Sequence, residues 1–208
     1  VKTRILRYCD NENGDGEFHY DKVTNGEFAR VYSHTLNLQS VLIVVPELCY
    51  DKEIIEQCHY QWRDNPHIPF CTREGDIPRK DETERVYRMK RYYKLQTGSQ
   101  AKKDFNRIKR LLEPVINRMV TNGNYAARCQ EAANILEKCP ESDHVANALE
   151  DILRYACNYG QEMSFEYIQR NVMQDENGQL VWVDMVFDTN LMRRLRIKKE
   201  NAKRAYHY

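Results

Sequence analysis

Three polar side chains late in the chain have the types and spacing that phosphoryl transfer requires. In SFEYIQRNVMQDENGQLVWVD, residues 164–184, Glu166 is followed five residues later by Asn171, and Asp184 comes thirteen residues after that. Moving a phosphoryl group onto a hydroxyl needs a group to take the hydroxyl proton and oxygen ligands for the cations that neutralise the phosphates. Glu166 has the chemistry of the first. Asn171 and Asp184 have the chemistry of the second, because Mg²⁺ is commonly held through one or two carboxylates plus phosphate oxygens. Singly, Asn171 reads as a loop cap and Asp184 as a strand-end turn residue. Only their spacing joins them.

Flanking elements must bring the three to one point. Asn177-Gly178 suits a tight hairpin turn, and Leu180 to Val183 reads as a buried strand that delivers Asp184. Far upstream, Asn25-Gly26 is a second turn signal, with Val23 and Thr24 before it and Phe28 and Val31 after it. That pattern is a hairpin whose tip is placed to lie over phosphates, although one glycine also fits an ordinary β-turn. Val41 to Val45 is the next strand.

Two blocks resemble a known family in order and spacing: NGEFARVYSH, QSVLIVV and NPHIP within Asn25 to Pro69, and then Ser164 to Asp184. The family is the early serine/threonine protein kinases of short-tailed (podovirus-type) bacteriophages. The two blocks cover roughly a third of the chain, and Phe70 to Gln161 matches only in its run of apolar periods. The resemblance implies an α+β, protein-kinase-like bilobal fold. A small β-rich N-lobe would span residues 1–93, and a reduced helical C-lobe residues 94–208. It places Asn25 and Gly26 over a nucleotide, and Asn171 and Asp184 on the metal.

The chain departs from the family twice. The strand 41–45 should carry the lysine that grips the phosphates, and by spacing that position is Ile43. Glu166 stands where the family has Asp, one methylene longer, and a shift of about 1 Å can cost on the order of a hundredfold in rate. With no cation at Ile43, Glu53 and Glu56 on the following helix have no obvious partner and are expected as solvated carboxylates. The combination implies a degenerate bacteriophage kinase-like protein that binds and modulates or inhibits a host bacterial protein, with ATP and Mg²⁺ bound weakly or not at all. The alternative is an active serine/threonine kinase with Glu166 as general base.

Composition bounds these readings. The chain has 208 residues, enough for one domain or two small lobes, and 41% of them are hydrophobic. Net charge is +1 with 30% charged residues, which argues against long-range steering toward nucleic acid. The seven cysteines form no CxxC and the six histidines are scattered, so no zinc site is expected. The opening VKTRILRYCD is polar and basic, so the thiols are expected to be reduced and cytoplasmic, and the resemblance implies that the cytoplasm is that of the host bacterium. No apolar run reaches membrane-spanning length. A third reading, a basic nucleic-acid-binding module, draws on the C-terminal stretch with Arg193, Arg194, Arg196, Lys198, Lys199, Lys203 and Arg204. As partner-binding residues, Arg193, Arg194 and Arg196 are the candidates.

Periodicity supplies the rest. Asn11 to Gly16 is an acidic loop without the features of a calcium site. A helix is expected over Asp51 to Arg63, a charged loop over Thr72 to Glu84, and a strand over Arg85 to Tyr93. From Ser99 onward the pattern is helical. Phe105, Ile108, Leu112, Val115, Ile116 and Met119 form one face, which Pro114 should kink. A second helix spans Tyr125 to Lys138. A third begins at Ser142 or Asp143 and buries Val145, Leu149, Ile152, Leu153 and Ala156.

Overall fold

Alternating side chains in the first ninety residues wrap a closed six-stranded barrel. A computed structural model describes residues 4–10, 14–26, 29–35, 37–80, 82–117, 125–160 and 162–205. Strands β1 (Arg4–Asp10), β2 (Gly14–Asn25), β3 (Arg30–His34) and β4 (Ser40–Pro46) are successive antiparallel neighbours. Helix α1 (Asp51–Gln61) follows, and the hairpin β5 (Cys71–Pro78) and β6 (Thr83–Lys90) closes the barrel in the order β1-β2-β3-β4-β6-β5. Phe28, Met119 and Asn11 to Asn13 lie outside the described residues, as do the side chains of Lys198, Lys199, Lys203 and Arg204.

The period of two divides β4 between two cores. Leu42 and Val44 join Leu6, Tyr8, Phe18, Tyr32, Ile77 and Val86 inside the barrel. Ile43 and Val45 point the other way, into a larger core that includes Ile54 and Ile55 of α1, Tyr87 and Met89.

The stretch from Thr72 to Glu84 is mostly strand, not loop. Its charged residues alternate with buried Cys71, Gly75 and Ile77. Arg88 makes two 2.8 Å bonds to Glu74, and Arg73 pairs with Asp76 at 2.8 Å. A strand with one wet face tolerates such charges.

The second half is mainly helical: α2 (Gln100–Ile116), α3 (Tyr125–Leu136) and α4 (His144–Cys157). The short β7 (Tyr93–Lys94), β9 (Val172–Gln174) and β10 (Leu180–Trp182) make a three-stranded sheet, and β8 (Met163–Phe165) pairs with β11 (Val186–Asp188). Helix α5 (Thr189–Ala205) ends the described chain. The architecture is therefore mixed α and β. Ile108 and Leu112 of α2 and Leu149 and Ile152 of α4 are fully buried in the same core as β4 and α1. No helix among the described residues is long and apolar enough to cross a membrane.

Pro114 does not break α2. It sits on the exposed side of the last turn, where one lost intrahelical bond matters least. Arg128 donates to the carbonyls of Val115 and Ile116 at 3.2 and 2.7 Å, which satisfies two acceptors the helix end would leave open. Asp143 caps α4 through the Ala146 amide and holds Arg107 in a bidentate pair at 2.6 and 2.8 Å.

Candidate functional site

The loop after β8 is locked from below. Tyr167 is buried, stacks on Phe105 at 4.9 Å and donates its hydroxyl to the Phe105 carbonyl at 2.8 Å. The Glu166 amide bonds the Met185 carbonyl at 3.0 Å. With its neighbour anchored inward, the Glu166 side chain turns outward and is 43% exposed. Its Oε2 accepts from Asn171 Nδ2 and from Arg170, both at 3.4 Å.

The hairpin that carries Asp184 is longer than a two-residue turn. Residues 175–179 form its loop, with Gly178 at φ 76°. Asp175 organises it, accepting from the amides of Asn177 and Gln179 at 2.9 and 2.8 Å. Strand β10 is then pinned to the NPHIP segment. His67 Nδ1 lies 2.6 Å from the Leu180 carbonyl, and the Trp182 amide bonds the His67 carbonyl at 3.0 Å. The Trp182 indole donates to the Val145 carbonyl at 2.9 Å. Two residues beyond, the Asp184 amide bonds the Asn171 carbonyl at 3.0 Å, which brings those two residues together.

Asn25, Gly26, Val45, Glu166, Asn171 and Asp184 line one cavity of about 450 Å³. Ile43 is not among them. It lines a second cavity of about 460 Å³ with Val31, Met89, Met173 and Val183, whose wall also includes Asp21, Lys22, Lys90 and Arg91. Because Ile43 and Val45 share a face of β4, and Val183 and Asp184 are consecutive, the two compartments lie side by side along one groove. The β4 position facing the polar compartment is thus Val45, two residues beyond the one that sequence spacing selects.

A cation is nevertheless present. Lys52, in the first turn of α1, is buried with 4% of its side chain exposed. Its ammonium donates to Asp184 Oδ1 at 3.1 Å and the Val183 carbonyl at 3.4 Å, and pairs with Asp51 Oδ2 at 2.9 Å. Asp51 Oδ1 accepts from the Cys49 thiol at 2.8 Å. Burial opposes charge on Lys52, but Asp184 and Asp51 outweigh it and hold the ammonium well above the usual lysine value. Burial pushes the Cys49 thiol up, which keeps it a donor. Burial also works against the Asp51 anion, and Lys52 overcomes it, leaving that carboxyl below its ordinary range. Desolvation and then Asp51 push Asp184 upward, although Lys52 opposes them. Its side chain is 53% exposed, so water reaches the carboxylate.

Lys52 escaped the sequence reading, although one signal marks it. A lysine in the first helical turn opposes the helix dipole, a local inconsistency of the kind found at functional sites. Glu53 and Glu56 also differ from expectation. Glu53 pairs with Arg85 at 2.5 Å, and Glu56 is buried and accepts the Arg73 amide.

The polar compartment suits a magnesium ion. Among the described residues no three His, Cys, Asp or Glu side chains cluster as a ready-made metal centre. Mg²⁺ needs only one or two carboxylates, completing its shell with phosphate and water oxygens. The half-exposed Asp184 carboxylate and the Asn171 amide oxygen are donors of that kind.

Arg193, Arg194 and Arg196 are exposed on α5. Arg193 and Arg196 line a separate groove that reaches Glu166; Arg194 does not line it.

Neither a protein-family model nor a curated protein sequence matches this chain. One solved structure that aligns with it is described as a thermostable mutant of aminoglycoside phosphotransferase APH(4)-Ia in its apo form. The alignment covers 82% of this chain and 69% of the other, with 13% sequence identity and a TM-score of 0.35.

Proposed function

We propose that this chain is a kinase-like, bilobal phosphotransferase that binds ATP along the groove between its β-rich and helical parts. The observation that carries this reading is Lys52. A buried, charged ammonium stands beside Asp184 and Asn171 in one compartment, next to a second in which Ile43, Val31 and Met173 offer apolar contact to a flat base. The absence of a cation from β4 argued for a degenerate protein. Lys52 supplies that charge from α1 instead.

In this reading the base lies against Ile43, Val31 and Met173, and the phosphates lie beside Lys52, whose charge attracts them. Asn25 and Gly26 cover them. When bound through Asp184 and Asn171, Mg²⁺ supplies charge neutralisation of the phosphates. Glu166 takes the proton of an acceptor hydroxyl. The hydroxyl oxygen bonds to the terminal phosphorus as the bond to the bridging oxygen breaks, and ADP leaves. Glu166 is positioned by Asn171 and by the Tyr167 anchor, and Lys52 stabilises charge that builds on the transferred group. The resemblance to early bacteriophage kinases makes a host bacterial protein the proposed acceptor, in the host cytoplasm.

Calorimetric titration with ATP and Mg²⁺ tests this. Binding is expected in the wild type, weakened at least roughly tenfold in Lys52→Met. Wild-type protein that takes up no nucleotide, or Lys52→Met that binds as well as wild type, overturns the proposal.

A further inference from the structure

We infer that the groove beside Glu166 receives an acidic polypeptide segment, which names the acceptor class for the phosphotransferase reading above and rests on it. The groove has a volume of about 490 Å³ and shares Glu166, Arg170, Phe187 and Met192 with the polar compartment. A chain lying in it therefore passes the side chain that would take a hydroxyl proton.

Four arginines line it, Arg128, Arg170, Arg193 and Arg196, against two carboxylates, Glu166 and Glu200. One arginine is held rigidly. Arg128 is fixed by the Val115 and Ile116 carbonyls and lies 5.1 Å from the centre of the Phe165 ring. Arg193 and Arg196 are three residues apart and so share one face of α5. That helix starts from a fixed point. Asp188 accepts the Leu191 amide at 2.9 Å, and Thr189 donates to Glu162 at 2.8 Å. The arginine fork matches a carboxylate in shape as well as charge. Phe187, Met192 and the half-exposed Ile197 add apolar wall between the charges, which suits a peptide better than a bare polyanion.

The net charge of +1 argues in the same direction. A nucleic-acid binder draws on a broad basic field, whereas here 32 Lys and Arg are offset by 31 Asp and Glu, and the groove itself is short. The occupant expected is a serine- or threonine-bearing segment with Asp or Glu close to the hydroxyl residue.

The test uses the full chain and three fluorescent synthetic peptides that carry one serine flanked by Glu, Ala or Lys. Fluorescence anisotropy measures their binding without relying on catalysis. The Glu peptide should bind roughly tenfold more tightly than the Lys peptide at low salt, and the gap should shrink as salt rises. In the double variant Arg193→Glu/Arg196→Glu the preference should invert, while ATP affinity measured by calorimetry stays at the wild-type value. That inversion is a readout that mere unfolding would not produce. Equal binding of all three peptides, or an unchanged preference in the double variant, overturns the inference. A single-stranded oligonucleotide that displaces the Glu peptide at lower concentration than unlabelled peptide does also overturns it. If the wild type prefers the Glu peptide but binds no ATP, the groove stands and the phosphotransferase reading falls.

Discussion

The Lys52 ammonium lies 3.1 Å from Asp184 Oδ1, joining the first turn of α1 to the chain beyond β10 across 132 residues of sequence. Asp51 completes the arrangement from the other side at 2.9 Å. One buried cation between two carboxylates is costly unless every partner is in place, and this dependence makes the pair open to experiment.

Removing the ammonium should leave Asp51 buried and uncompensated. Breaking a buried ion pair costs about 3–5 kcal/mol. The Asp184 contact adds little to stability because that side chain is 53% exposed. Lys52→Met is expected to lower the unfolding free energy by that order, read as a lower urea midpoint. Lys52→Met/Asp51→Asn should recover most of the loss. If the single variant unfolds at the wild-type midpoint, Asp51 is not held by this lysine.

Returning the charge to β4 should restore nucleotide binding only at the correct register. Val45 lines the compartment that holds Lys52 and Asp184, and Ile43 lines the neighbouring one. Lys52→Met/Val45→Lys is expected to regain part of the lost ATP affinity, and Lys52→Met/Ile43→Lys none. Calorimetry on both double variants decides it. Recovery by the Ile43 variant alone would move the phosphate site.

Stability should fall on mild acidification through His67. Burial lowers the pKa of His67 below 6.5, with the Leu180 carbonyl opposing in part. The unfolded chain then binds a proton that the folded one resists, so stability is fully present above about pH 6.5 and declines as pH drops toward the folded value. Urea midpoints from pH 7.5 to 5 should decline, with a shallower slope in His67→Gln. Identical slopes would exclude His67 as the titrating group.

Catalysis, if the acceptor hydroxyl meets Glu166, should separate from binding. Glu166→Gln keeps the size and loses the base, so radiolabel transfer from ATP is expected to drop about a hundredfold or more, with ATP affinity unchanged. Asp184→Asn should lose both transfer and the magnesium dependence of binding. Transfer that survives both changes would remove Glu166 and Asp184 from the chemistry.

What could be read in advance was what local pattern dictates. The alternation Leu42-Ile43-Val44-Val45 marks a strand, and its two faces follow from the pleat. Ser99 and Asp143 cap the helices that follow them, because a side-chain oxygen can reach an amide three residues on. The run from Glu166 to Asp184 displays its polar residues at spacings that a short loop and hairpin bring together. Each of these interactions spans a few residues or one hairpin, so the sequence alone contains it.

Lys52 was beyond that reach. In sequence it is a lysine flanked by Asp51 and Glu53, a pattern that reads as a solvated helix start. Only the packing of α1 through Ile54, Ile55 and Cys58 turns that start inward, where it meets a carboxylate from the far end of the chain. Sequence spacing points to Ile43, whereas Val45 lines the compartment that holds Lys52. Both point to one face of β4, and which of them faces the charged compartment depends on where Lys52, Asn171 and Asp184 converge. By itself the sequence determined the strand at Val41 to Val45, the helices after Ser99 and the spacing of Glu166, Asn171 and Asp184, but not the strand Cys71–Pro78. The tertiary structure alone decided which cation meets Asp184, because the partners of a buried charge are chosen by packing between distant segments and not by neighbours in the chain.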